Sequence, residues 1–176
     1  MRMSCQLYVL GTSHDLQCGS AKCLPTQIAA FRGELGNIIE THHIRCVAEE
    51  MDAEGLCQYN VDSTIAQPLA LSLHIQHHNV DLTSEQRRLF SLDQFALANA
   101  FNPGRKFNQG FNRVLSEVRE RCWVARILAK KQWPTLLICG ANHSQNIAKL
   151  WRRFGLEVVI LHSDYAPSTE APVPNP

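Results

Sequence analysis

Thr135-Leu136-Leu137-Ile138-Cys139-Gly140-Ala141-Asn142-His143 is the stretch that decides the reading of this chain. An apolar run of strand character ends at Gly140. A helical pattern follows His143, with Ile147, Leu150, Trp151 and Phe154 at spacings of three and four. The same order occurs near the N-terminus in Leu7-Tyr8-Val9-Leu10-Gly11-Thr12-Ser13-His14. The chain thus carries strand, Gly, two small or polar residues and His twice over. A duplicated strand-end motif predicts two strand ends that share one site.

Working outward, strand one covers Gln6 to Leu10. Pro25 and Thr26 open a helix in which Ile28, Phe31, Leu35, Ile38 and Ile39 keep helical spacing. Strand two is Ile44 to Ala48 and runs into Glu49-Glu50-Met51-Asp52. A strand-helix-strand unit of this length predicts a parallel pair with a right-handed crossover. A short helix is expected over Ala66 to Leu73, and a weaker third strand over His74 to Asp81. Thr83 or Ser84 caps the next helix. Between Leu92 and Gly110 only a turn at Asn102-Pro103-Gly104 is legible. A long helix from about Phe107 to Lys131 carries Phe111, Val114, Leu115, Val118, Cys122 and Ala125 as its apolar stripe. Trp133-Pro134 ends it, strand four is Thr135 to Cys139, and strand five is Glu157 to Leu161. Gly11 and Gly140 are read as residues that let the chain turn sharply off a strand.

The expected fold is therefore α/β: one domain over residues 1–165, a mainly parallel sheet of about five strands, and helices on both faces. Strands one and four should lie side by side or nearly so. The Pro-rich tail, 166–176, is expected to be disordered.

Composition narrows the function classes. A formal net charge of +1 sets up no global basic field for nucleic acid or anionic lipid. No apolar run is long enough to span a bilayer. The first residues, Met1 to Gln6, show no signal-peptide apolar region, which argues for the cytoplasm. Seven irregularly spaced cysteines then read as free thiols. Cys18 and Cys23 lack the second pair that a structural zinc site needs.

In open parallel sheets, ligands bind beyond the carboxyl ends of the strands. Those ends carry His14, Glu49-Glu50, Asp81, His143, and the pair His162 and Asp164. Two imidazoles with carboxylates suit a divalent transition metal such as Zn, Mn, Fe or Co. Strand alternation lets only one of Glu49 and Glu50 point to the rim in a given way, and the other reads as a solvated carboxylate. Asp81 has a turn or helix-cap role as its alternative. His42-His43 and His77-His78 precede strands, at the opposite end, and read as surface histidines. The competing reading of the whole pattern is two turns with incidental histidines.

Gly11-Thr12-Ser13-His14 and Gly140-Ala141-Asn142-His143 resemble the two GxxH motifs of the TraB/TIKI group, which is related to erythromycin esterase and the haem-binding ChaN-like proteins. Glu50-Met51-Asp52 is similar to that family's Glu-Leu-Asp strand end. Arg119-Glu120, followed by Trp123, is similar to its Arg-Asp or Arg-Asn helix motif. The order of the elements matches, while Ala53 to Asn112 is not covered. Family members are usually longer, and some are membrane-bound or secreted. The resemblance implies a metal-dependent hydrolase of peptide, amide or ester bonds in a small-molecule or peptide substrate. His14, His143 and Glu50 would hold Zn, Mn or Co, with Arg119 beside them. Glu50 or Asp81 would take a proton, and Arg119 would stabilise the oxyanion. The alternatives are a non-catalytic haem- or metal-binding protein and a regulatory module with a degenerate site.

Overall fold

The computed structural model describes residues 6–89 and 105–167, with the backbone alone for 105–112. Strands β1 (Gln6–Thr12), β2 (Cys46–Glu49), β3 (Gln76–Asn79), β4 (Thr135–Gly140) and β5 (Glu157–Tyr165) form one sheet in the order β3-β2-β4-β1-β5. Every pairing is parallel. Among the described residues the helices are α1 (His14–Cys18), α2 (Pro25–Thr41), α3 (Ala53–Gln58), α4 (Ala66–Ser72), α5 (Ser84–Leu89), α6 (Arg105–Lys130) and α7 (Ala141–Arg153).

Alternation along the central strands divides the core between the two faces. Leu7, Val9, Leu137 and Cys139 pack with Trp123, Ile127, Ile147 and Trp151 of α6 and α7. Tyr8, Leu10, Leu136 and Ile138 pack with Phe31, Leu35, Ile38 and Ala70 of α2 and α4. Both faces are covered, so the expected α/β architecture is the one observed. Fully burying a large apolar side chain such as Phe31 or Leu137 contributes about 1.5–3 kcal/mol. Strands β1 and β4 are neighbours, with Leu10 opposite Ile138 and Thr12 opposite Gly140.

Several boundaries differ from the sequence expectation. β1 continues through Gly11 to Thr12, and β5 continues past Leu161 to Tyr165. β3 is short, because His74 takes a left-handed conformation (φ 56°) and the Ile75 N–H donates back to Ala70. Thr83 rather than Ser84 caps α5: the Gln86 N–H donates to its hydroxyl at 3.3 Å, and its own N–H donates to Gln86 Oε1 at 3.1 Å. The turn expected at Asn102-Pro103-Gly104 and the tail from residue 168 lie outside the described residues. No described helix is long and apolar enough to cross a membrane.

Candidate functional site

Strand order brings the two motifs and the acidic strand end together. β4 lies between β2 and β1, so the carboxyl edge presents Glu50, Gly140 with His143, and His14 from three adjacent strands. Ser13 caps α1 by accepting the Leu16 N–H at 3.2 Å, which makes His14 the first helical residue. Gly140 occupies the cap position of α7 and places His143 in its first turn. Glu50 follows directly on β2, and its N–H donates to the Ile138 carbonyl at 2.9 Å, so β4 fixes its backbone.

The Glu50 carboxylate is the hub, with its side chain only 1% exposed. Its Oε1 accepts from Arg119 Nη2 at 2.7 Å, and its Oε2 accepts from the Gly140 N–H at 2.7 Å. His143 Nε2 stands 3.4 Å from Oε1, and His14 Nε2 stands 3.6 Å from Oε2. Burial alone would raise the Glu50 carboxyl, but His14, His143, Arg119 and the Gly140 N–H outweigh it and hold the acid below its ordinary pKa. The Glu50 side chain in turn raises the His14 imidazole above its ordinary value, against the burial that lowers it. His14 Nε2 is itself buried and makes no hydrogen bond, although its side chain is 38% exposed.

A second layer holds this hub. Arg119 donates from Nε to Asp81 Oδ1 at 3.0 Å and from Nη2 to Asp81 Oδ2 at 2.6 Å, a forked pair. Trp123 Nε1 donates to the same Asp81 Oδ1 at 2.9 Å, and the guanidinium lies 5.2 Å from the indole centroid. Burial would raise Asp81, but Arg119 and Trp123 dominate and hold it below the ordinary carboxylate range. Arg119 Nη1 makes no hydrogen bond among the described residues. His143 Nδ1 pairs with Glu120 Oε1 at 2.8 Å, and its ring meets Trp123 edge-on at 5.0 Å. That pairing fixes the ring and aims Nε2 at Glu50.

The two glycines have different reasons to be there. Neither needs a left-handed backbone. A Cβ at Gly140 would meet His14 Nε2 at 3.2 Å and Glu50 Oε2 at 3.3 Å, so its absence leaves room between the site groups. A Cβ at Gly11 would strike the Ser163 carbonyl oxygen at 2.2 Å, so there the β5 backbone comes close. Gly11 pairs with Cys139 while Gly140 pairs with Thr12, so the two motifs are offset by one residue and their glycines face opposite sides of the sheet.

All five candidate residues, His14, Glu50, Asp81, Arg119 and His143, fall into this one network. Other expectations are corrected. Glu49 is not solvated: it is fully buried on the opposite face, accepting from the Thr64 hydroxyl and paired with His77 Nε2 at 2.7 Å. His77 and His78 lie within β3 rather than before a strand, and His77 is a partner of that buried acid rather than a surface histidine. His162 and Asp164 lie inside β5; His162 pairs with Glu34 at 3.2 Å, and Asp164 is exposed. The residues whose local role the sequence did not signal are Glu120 as the partner of His143 and Trp123 as a hydrogen-bond donor. Their place three apart on one helix face, Glu120 and Trp123, was the available signal.

Among the described residues no group of three or more His, Cys, Asp or Glu is placed so that it could hold a metal ion. The network around Glu50 is closed instead by a cation of the chain, Arg119. In comparisons with known proteins, the chain matches no family model, no curated protein and no solved structure.

Proposed function

We propose that the chain is a hydrolase of amide or ester bonds, working at the carboxyl edge of β2, β4 and β1. One observation carries this reading: imidazoles from two separate strand ends converge on one buried carboxylate that also holds a guanidinium. Grouped bases and a fixed cation supply the two needs of acyl transfer, a proton acceptor and a stabiliser of developing negative charge.

His14 is the proton acceptor in this proposal. It is the most exposed of the converging groups, and the Glu50 carboxylate stands 3.6 Å from its Nε2. Glu50 and Asp81 are poor bases, because their carboxylates already accept several donors and are held below their ordinary pKa. Their contribution is to anchor Arg119 and, for Glu50, to place a negative charge beside His14 and His143. Nε and Nη2 anchor Arg119, and Nη1, without a hydrogen bond among the described residues, is the donor for an oxyanion. His143, gripped at Nδ1 by Glu120, presents Nε2 to the same space.

The divalent ion implied by the TraB/TIKI resemblance, Zn, Mn or Co, is the second reading. As placed, the residues do not form its site. It is favoured by the buried Nε2 of His14, a ligand-type atom with no partner. His14, His143 and Glu50 would be the holding residues.

The test is hydrolysis of a chromogenic ester and a peptide-anilide panel by wild type, His14→Ala and Arg119→Gln, with Zn, Mn or Co added or chelated. The proposal expects wild-type turnover that falls by roughly 100-fold or more in His14→Ala. Thermal shift with each metal separates the two readings, since a bound ion raises the melting temperature. Equal activity of wild type and His14→Ala sinks the hydrolase reading. An absorption band on adding haem, without turnover, would replace it with the binding alternative.

A further inference from the structure

A cleft of about 230 Å³ runs between α6 and α7, next to the site. Among the described residues four cations line it, Arg113 and Arg121 from α6 and Lys149 and Arg153 from α7, against two carboxylates, Glu117 and Glu120, and the amide of Asn146. Glu120 belongs to both places. Its Oε1 holds His143 Nδ1 at 2.8 Å, and the same atom lies 3.5 Å from Asn146 Nδ2 in the cleft.

The charges of this cleft do not cancel locally. Glu117 is four residues from Arg113 and four from Arg121, so either pair is available on the helix. It takes Arg113, at 3.2 Å. Glu120 is 2% exposed and committed to His143. Arg121, Lys149 and Arg153 are left with no ion pair among the described residues. Like charges grouped in a concavity repel one another, and a small anion relieves that repulsion while meeting guanidinium donors in a forked geometry.

We infer that this cleft binds an anionic group of the substrate, a carboxylate or a phosphate, with the scissile bond a few residues further along, past Glu120 and His143. Glu120 touches both His143 and Asn146, so the cleft and the site adjoin at one residue. The substrate class is then an acidic acyl peptide or ester rather than a neutral one. This rests on the hydrolase reading for the reactive bond, and on the cleft alone for the anion.

The experiment is isothermal titration of the full chain with N-acetyl-trialanine, with its C-terminal amide, and with inorganic phosphate. The free acid should bind roughly tenfold more tightly than the amide, about 1.4 kcal/mol. The preference should weaken as salt is added. It should vanish in a Lys149→Gln/Arg153→Gln double variant; both side chains are exposed, and a melting curve confirms that the variant is folded. Equal binding of acid and amide, or an undiminished preference in the folded variant, overturns the inference. Phosphate that displaces the acid supports a site for small anions generally; phosphate that does not displace it supports a carboxylate site. Acid preference without any hydrolysis keeps the cleft and removes the hydrolase reading. Hydrolysis with no acid preference does the reverse.

Discussion

Replacing Asp81 with Asn should destabilise the fold by about 3 kcal/mol, and the loss should be tied to pH. Asp81 accepts three side-chain hydrogen bonds, two from Arg119 and one from Trp123, at 6% side-chain exposure. Removing one partner of a buried ion pair costs roughly 3–5 kcal/mol, because the other charge is left uncompensated. Here the low end applies, since Arg119 keeps its bond to Glu50 and an Asn oxygen still accepts one donor. The Asn amide, however, turns donors toward Arg119 donors. For a chain of this size, about 3 kcal/mol corresponds to a melting temperature lower by roughly 6–12 °C. The pH arm follows from linkage. The folded pKa of Asp81 lies below its unfolded value, so its contribution is present above pH ~4 and is lost as pH falls through the folded pKa. Denaturant unfolding of wild type and Asp81→Asn at pH 7 and at stepped pH values below 5 measures both. The gap between the two proteins should narrow toward acid. A cost under about 0.5 kcal/mol at pH 7, or a gap independent of pH, would show that Arg119 and Asp81 are not coupled as described.

Other perturbations follow from the same geometry. Gly11→Ala should destabilise by about 3 kcal/mol, since its Cβ collides with backbone that cannot give. Gly140→Ala should stay within about 1 kcal/mol in melting experiments, yet lose most of the proposed hydrolase turnover by crowding His14 and Glu50. His77→Ala should cost about 1–3 kcal/mol in denaturant unfolding by removing a donor from the fully buried Glu49; no loss would mean that the pair is incidental. In thiol labelling of the native chain, exposed Cys57 should react first among the described cysteines, while Cys18 and Cys139 stay protected: burial pushes the Cys18 thiol up to about 12 and Cys139 well above its ordinary value.

Local pattern determined the elements and most of the site's members. Apolar runs ending in Gly located β1 and β4, helical spacing located α2 and α7, and parallel connection rules placed the rim where His14, His143 and Glu50 meet. These features were legible because hydrophobic periodicity and turn chemistry act over a few residues. The roles of the polar groups were decided only by packing. Adjacent Glu49 and Glu50 look alike in sequence, but β2 is covered on both faces, so alternation buries both and sends each to a different partner. Gly11 and Gly140 sit in matching motifs, yet a one-residue offset between β1 and β4 gives one a backbone neighbour and the other the space of the site. Glu117 had two equivalent helical partners, and in the seam between α6 and α7 it takes Arg113, leaving Arg121 with no ion pair among the described residues. Such choices depend on which side chains from distant segments share a desolvated space, and that information exists only once strand order and register bring the segments together.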